Sequence, residues 1–120
     1  MQFDKFTLKS QEAIQAAQQL AQDNSNQEMH PAHLIKAILL QPNGSVVPVL
    51  QKMGVDPSLV LMAANTLTEQ LPKVSGSGAG QVYASQELRR ILDASFSIAS
   101  QMQDDYVSLE HLFLALIRDK

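Results

Sequence analysis

The chain has 120 residues with a formal net charge of −3, and it is 45% hydrophobic and 18% charged, which is typical of one globular domain. It contains no cysteine, and this excludes disulfides, thiolate zinc sites and a cysteine nucleophile. The acidic balance disfavours a nucleic-acid partner, because such proteins usually carry a basic face. The chain begins without the apolar core of a signal peptide, and its longest apolar runs are too short to span a bilayer. We therefore expect a soluble cytoplasmic protein without a membrane partner.

Two helices are predicted in the first forty residues. The first runs from about Leu8 to Asp23, and the Thr7 hydroxyl is placed to cap it. Its apolar residues recur at three- and four-residue steps and form one stripe of Ala13, Ile14, Ala17, Leu20 and Ala21. The second helix begins at Pro31, a favourable first-turn residue, and continues through Leu40. Because it has almost no polar face, we expect it to be central and buried.

Two further helices and a linker are predicted next. Ser45 is expected to cap a short helix through Met53, and Gly54 suits the left-handed position that closes it. Asp56 and Pro57 indicate the start of a fourth helix. The inward stripe of that helix is predicted to consist of Val60, Ala64, Leu67 and Leu71. Residues 72–84 contain Gly76, Gly78 and Gly80 and are predicted to form a flexible linker.

The last part of the chain is a second copy of the first, at an offset of 78 positions. Ser85 takes the capping role of Thr7, and Ser108 is expected to cap a second buried helix. The helix between them has a predicted inward stripe of Leu88, Ile91, Leu92, Ser95, Ala99 and Met102. Identical pairs at this offset are Ala16 and Ala94, Ala21 and Ala99, His33 and His111, Leu34 and Leu112, and Ala37 and Ala115.

This duplication predicts an all-α fold, a pseudo-twofold bundle of two helical repeats. Residues 1–71 form the first repeat, 72–84 the linker and 85–120 a partial second repeat. The counterpart of Ser45 would fall at position 123, beyond Lys120, so we expect a fragment whose truncated second repeat leaves apolar surface uncovered. A duplicated scaffold also favours a binding module over an enzyme.

The repeats resemble a known family, the N-terminal domains of Clp ATPases, over essentially the whole chain. The buried-helix motifs HPAHLIKAILL and SLEHLFLALI carry the resemblance. Within the family, four segments look closest to the ClpB disaggregases: MQFDKFTLKSQEAIQAAQQLA, GSVVPVLQKMGVDP, LPKVSGSG and DDYVSLEHL. None of the glycines is followed by lysine, so the chain has no phosphate-binding loop of the Walker type.

The resemblance implies a mobile module that engages unfolded or aggregated polypeptides through an apolar groove and passes them to a hexameric ATP-driven ring. ATP and Mg would bind ring domains of the parent protein, and this domain would need no cofactor. The parent would be a homohexamer that works with a DnaK-type chaperone system. An alternative from the same family is the adaptor-binding N-domain of a protease-coupled Clp ATPase. A stand-alone helical enzyme or metalloprotein and a purely structural spacer are further alternatives.

Seven residues are candidates for the polypeptide site. Thr7, Asp104 and Glu110 match positions of the family's motif, and they would place polar and acidic groups beside the groove, favouring client segments flanked by Lys or Arg. Each also has a structural interpretation, as a helix cap, a turn residue and a first-turn carboxylate respectively. The apolar candidates near the junction of the repeats are Ile14, Leu88, Leu92 and Leu109. Leu92 and Leu109 are the stronger of these, because Leu109 replaces a proline of the first copy and is expected in an exposed first turn.

The histidines offer a metal-site hypothesis that the repeat argues against. His30 and His33 form an H-x-x-H pair, and His111 could be a third ligand. However, His33 and His111 occupy the same position in two copies, and no carboxylate has the spacing of a zinc hydrolase helix. We therefore expect each imidazole to bond to its helix start or to the preceding turn, with no metal.

Overall fold

A computed structural model of the chain describes residues 3–42, 44–73 and 82–118. Within these ranges a 3-10 turn, Phe3–Lys5, precedes six helices and two short strands. In chain order they are α1 (Leu8–Asp23), β1 (Glu28–Met29), α2 (Pro31–Leu40), α3 (Val46–Lys52), α4 (Pro57–Glu69), β2 (Tyr83–Ala84), α5 (Gln86–Gln101) and α6 (Leu109–Arg118). The all-α class is confirmed, although the sequence analysis did not predict the two strands.

Three helix ends lie at the capping residues predicted for them. Thr7 Oγ1 accepts a hydrogen bond from the Ser10 backbone N–H at 3.2 Å, and Ser85 Oγ accepts one from the Leu88 N–H at 3.0 Å. Gly54 has φ +80°, which is the left-handed conformation predicted for it after α3. These local signals set the bounds of the helices independently of the packing between them.

Reciprocal strand pairs join the two halves of the chain. In the parallel β1–β2 pair, Met29 lies opposite Ala84, and a parallel bridge joins Phe6 to Val107. At the offset of 78, Met29 corresponds to Val107 and Ala84 corresponds to Phe6, so the two pairs occupy equivalent positions of the two copies. The hydrogen bonds follow the same rule, since the Ser85 N–H donates to Met29 O at 3.1 Å and the Thr7 N–H donates to Val107 O at 3.0 Å. Each half therefore pairs the strand before its first helix with the strand before the other half's second helix.

The core lies where α1, α2, α5 and α6 meet. Phe6 is buried there, and its ring packs against Phe96 with centroids 5.1 Å apart and planes tilted by 59°. The largest fully buried apolar side chains are Phe6, Leu34, Ile38, Leu88, Ile91, Leu112 and Val107. α4 packs on the outer side of α2. Within the described ranges no single helix has the length and hydropathy needed to cross a membrane; α3 and α4 meet that criterion only as a pair bent by 119°.

Several expectations about α3 and α4 are wrong. Ser45 does not cap α3, because its backbone is helical and its hydroxyl donates instead to Glu110 of the second half. Leu67 is largely exposed and Thr68 is buried in its place. The carbonyl of Thr68 accepts a hydrogen bond from Asn24 Nδ2 at the end of α1. Thr68, and not Leu67, therefore lies on the side of α4 that contacts the end of the first helix.

Two predicted inward residues at helix ends also face solvent. Leu40, expected to be buried, is 56% exposed at the last position of α2. Met102 is equally exposed, because α5 has already ended and Gln103 adopts positive φ immediately after it. Helical spacing therefore predicts burial wrongly for residues at or beyond the last turn of a helix.

Both ends of the segment predicted to be a linker take part in strand pairing. Residues 74–81, with Gly76, Gly78 and Gly80, lie outside the described residues. At the near end Lys73 forms a bridge with Asn26, and at the far end Tyr83–Ala84 forms β2. The ends of the segment are therefore part of the packed structure.

A matched pair of substitutions on α6 tests the placement of the core. Leu112 has no exposed surface and Ile117 is 60% exposed, so Leu112→Ala should lower the free energy of unfolding by about 2–5 kcal/mol through lost burial and a residual cavity. Ile117→Ala should change it by less than about 0.5 kcal/mol. Urea unfolding followed by circular dichroism measures both values. Equal losses would contradict the assigned orientation of α6.

Candidate functional site

A cavity of about 650 Å³ lies between β2 and α5. One wall is formed by Val82, Tyr83 and Ala84, and the other is a single face of α5. That face consists of Arg89, Leu92, Asp93 and Phe96, which recur at the three- and four-residue steps of a helix. Buried Leu92 and half-buried Phe96 make the cavity apolar, while exposed Arg89 and Asp93 place one charge of each sign at its edge. We call this space the Leu92 cavity.

A second, smaller cavity brings together three of the predicted residues. It has a volume of about 220 Å³ and is lined by Thr7, Lys9, Gly44, Ser45, Ser108, Leu109 and Glu110. The Ser45 hydroxyl donates to Glu110 Oε1, which joins the α2–α3 loop of the first half to α6 of the second. This hydrogen bond is the main reason that the pKa of Glu110 is lowered. A bond from Ser108 acts in the same direction, and burial opposes both.

Asp104 lines a third cavity, apart from the two described above. It lines a cavity of about 480 Å³ together with Lys5, Phe96 and Asp105 among others. Its Oδ2 atom is 2.8 Å from Nε2 of His111, so the carboxylate holds the imidazole of the buried helix. About half of the Asp104 side chain remains exposed. Phe96 lines both this space and the Leu92 cavity.

The seven predicted residues therefore do not line one continuous groove. Ile14 and Leu88 belong to the core, and Leu92 is the one apolar candidate that lines the cavity beside α5. The expectation that Leu109 is exposed is wrong, since only 2% of its surface is accessible. The α2–α3 loop covers the first turn of α6 through the Ser45–Glu110 bond, a contact between residues 65 positions apart.

The two equivalent histidines make equivalent hydrogen bonds. The His30 N–H donates to Nδ1 of His33 and the Ser108 N–H donates to Nδ1 of His111, both at 2.9 Å. Nδ1 is thus an acceptor, so the ring proton is on Nε2. That proton is donated to Asn26 Oδ1 in the first half, at 3.0 Å, and to an Asp104 oxygen in the second. The predicted bonds to the helix start and the turn are confirmed.

The imidazole nitrogens are fully used by these bonds. Across 3–42, 44–73 and 82–118, no three His, Asp or Glu side chains form a cluster that could hold a metal ion. His33 is completely buried, and burial is the main cause that lowers its pKa from 6.5 to about 4, with smaller contributions from His30 and Lys36.

Sequence reasoning missed most of the residues that form the Leu92 cavity. Val82, Tyr83 and Ala84 were assigned to the linker, and Arg89 and Phe96 were not singled out. The offset of 78 was a usable signal, because it places Ala84 at the position of Phe6, which directly precedes the Thr7 cap. A segment that leads into a helix cap in both copies is a structural part of the repeat.

Comparison with known proteins identifies the family. A family model described as the Clp repeat (R) N-terminal domain matches residues 5–120. The chain belongs to this family. The domain is 38% identical, over 122 aligned residues, to the chaperone protein ClpB of Bacillus cereus. The alignment covers 100% of this chain and 14% of that protein, so the Clp N-terminal domain described here spans about a seventh of the length of this relative.

Solved structures share the fold of this Clp N-terminal domain. The Hsp104 N-terminal domain from Candida albicans superimposes with a TM-score of 0.84 at 22% identity, covering 96% of this chain and 75% of that one. A complex of the ClpV N-domain with a VipB peptide gives a TM-score of 0.79 at 19% identity, covering 94% of this chain and 68% of that one. At these identities the likeness concerns the fold alone.

The buried histidine of the first half should make folding pH-dependent. The pKa of His33 is depressed in the folded state, so the unfolded chain binds more protons between pH 6.5 and about 4. The stabilisation is complete above pH 6.5 and falls by up to about 3 kcal/mol as the pH is lowered to 4. Urea unfolding at several pH values measures the free energy of unfolding. In His33→Gln, whatever its overall stability, the fall of this free energy between pH 6.5 and 4 should be smaller by the contribution of His33. Parallel pH profiles of the two proteins would contradict the assignment.

The Ser45–Glu110 bond can be tested by titration. Ser45→Ala should raise the pKa of Glu110 towards its ordinary value, because the largest cause of its depression is removed. NMR observation of the Glu110 side-chain carboxyl carbon measures this directly. Ser58→Ala is the control, since Ser58 is an exposed residue of α4. An unchanged titration in Ser45→Ala would show that the hydroxyl does not hold the carboxylate.

Proposed function

We propose that this domain is the substrate-binding N-terminal module of a ClpB-type chaperone, which engages unfolded or aggregated polypeptides and feeds them to an ATP-driven hexameric disaggregase. The parent chain would form a homohexamer, bind ATP and Mg in its ring domains and work with a DnaK-type chaperone system. The 38% identity to a ClpB over the whole chain supports assignment to the ClpB branch of the family. The observation that carries the binding role is the Leu92 cavity.

The chemistry of the Leu92 cavity suits a segment of unfolded polypeptide. Leu92 and Phe96 make the lining apolar, which suits a side chain that a folded protein would bury; Phe96 supplies most of the accessible part, because Leu92 is only 2% exposed. The volume of about 650 Å³ is large enough for several atoms of main chain as well. Burial of one leucine-sized side chain contributes about 1.5–3 kcal/mol before ordering costs. Binding by a single domain should therefore be weak, and several domains on one ring would strengthen it by avidity.

The remaining predicted residues divide between a binding and a structural role. Asp104 and Glu110 would give client-facing surfaces negative charge, which favours segments flanked by Lys or Arg. Asp104 lines a separate cavity that shares Phe96 with the Leu92 cavity, whereas Glu110 lines the small cavity, so Asp104 is the better placed of the two. Thr7, Leu109 and Glu110 surround the small cavity at the junction of the halves, which would take no more than one short side chain. The ClpV N-domain has a similar fold and was solved with a peptide, which supports a peptide-binding role for this fold.

The proposal predicts a difference between two buried residues that occupy equivalent positions. Leu92→Ala should weaken binding of a labelled unfolded casein fragment at least about fivefold, because Leu92 lines the cavity. Ile14→Ala removes a similarly buried side chain of the core at the same position of the first half, and should leave binding nearly unchanged. Fluorescence polarisation measures binding, and melting curves confirm that both variants are folded at the assay temperature.

Three outcomes would contradict the proposal. Equal weakening by both substitutions would indicate a general loss of stability and not a site at Leu92. Absence of binding by the unsubstituted domain, at any concentration reached, would leave the spacer interpretation. Binding of a folded adaptor protein but not of the unfolded fragment would favour the protease-coupled alternative.

A further inference from the structure

The strand β2 has one edge that is paired and one that is not. On the paired side, the Tyr83 N–H donates to Gln27 O at 3.0 Å and the Ser85 N–H donates to Met29 O at 3.1 Å. Bonds of a parallel ladder involve alternate residues of each strand, so Ala84, which lies between these donors, directs its own N–H and C=O to the opposite side. Ala84 also lines the Leu92 cavity, so these two groups lie beside that space. Across the described part of the chain neither group has a hydrogen-bond partner.

The first half of the chain closes the same edge with a side chain. Phe6 is the counterpart of Ala84, and its carbonyl accepts a hydrogen bond from Gln11 Nε2 at 3.0 Å. The counterpart of Gln11 is Arg89, which lines the Leu92 cavity. The two halves therefore differ at one specific point: the carbonyl of Phe6 is satisfied from within, and the carbonyl of Ala84 is left open beside an apolar space.

We propose that the Leu92 cavity receives its client as an extended segment, added as a β-strand along the free edge of Ala84. This inference rests on the proposed function and specifies how the client is held. The N–H and C=O of Ala84 would bond to the client backbone, and one client side chain would lie on Leu92 and Phe96. On the same face of the client strand, two residues to either side of that apolar residue, an acidic residue would face Arg89 and a basic residue would face Asp93.

This mode of binding fits clients that share no sequence. Every unfolded chain carries the same backbone donors and acceptors, so the edge discriminates extended from helical or folded chains rather than one sequence from another. Side chains alternate between the two faces of a strand, so only every second client residue meets the apolar surface. The strand is short, so few hydrogen bonds form and the client can leave readily.

Backbone methylation of a peptide tests the proposal. The probe is a labelled peptide of about ten residues with Thr and Val alternating around a central Phe, an Asp near one end and a Lys near the other. Methylation of one backbone nitrogen at a time removes one donor while the side chains stay. We expect about tenfold weaker binding when the methyl group is on the one nitrogen whose N–H would donate to the Ala84 carbonyl, and little change at the neighbouring positions. Uniform effects along the peptide would overturn the strand mode.

A proline substitution tests the same edge from the side of the protein. Ala84→Pro removes the N–H that faces the cavity and is compatible with an edge strand, so binding of the peptide should weaken about tenfold. Gln86→Pro is the matched control, because it places a proline two residues later at the first position of α5, where the fold tolerates it. Melting curves must show both variants folded. Equal binding by Ala84→Pro and the unsubstituted domain would overturn the proposal.

Amide hydrogen exchange gives a readout that does not depend on substitutions. Exchange at Ala84 should be fast in the free domain and should slow at least about tenfold with saturating peptide. Protection of Ala84 without peptide would show that the chain itself occupies the edge and would refute the inference. If the peptide binds and Leu92→Ala weakens it while Ala84 shows neither effect, only the strand mode fails. If no unfolded peptide binds, the proposed function fails with it.

Discussion

The fold depends on the hydrogen bonds by which each half of the chain pairs with the other. Met29 pairs with Ala84, and Val107 pairs with Phe6. Each of these four residues directly precedes the residue at the cap of a helix. The pairs therefore fix where α1, α2, α5 and α6 begin relative to one another. The apolar stripes then meet at one core, and the Phe6 ring reaches Phe96 in the opposite half. Without this registration, two amphipathic hairpins would have several similar ways to pack.

The helices were predictable because their signals are local. Thr7, Ser85, Asp56 and Gly54 act through hydrogen bonds or backbone angles within a few residues, and the structure places helix ends beside them. The Leu92 cavity was not predictable in the same way, because one wall is a two-residue strand that is too short to show alternation. The burial of Leu109 was also missed, since it depends on packing in the core with residues distant in sequence, such as Phe6 and Leu34. Helix-capping residues could be identified from the sequence alone, whereas the exposure of a side chain depends on which distant segment packs over it.

The two halves share a scaffold but differ in its chemistry at equivalent positions. The histidine of the first buried helix is held by the neutral amide of Asn26, and that of the second by the carboxylate of Asp104. Gln11 satisfies the Phe6 carbonyl, but Arg89 stands in its place beside Ala84. At these two positions the second half thus carries charged side chains where the first half carries neutral amides. The two halves therefore share their geometry, and a few substitutions make them chemically different.

The pairing of Phe6 with Val107 joins residues about 100 positions apart. During synthesis the amino-terminal strand therefore leaves the ribosome long before its partner does, and α1 must wait with its leading strand unpaired. Such a separation raises the contact order and delays the final docking step, because a long loop must close before the contact forms. Until then the apolar side of α1 and the Phe6 ring that precedes it are available to other chains. A domain that we propose captures unfolded polypeptides is thus itself vulnerable, while nascent, to the same kind of association.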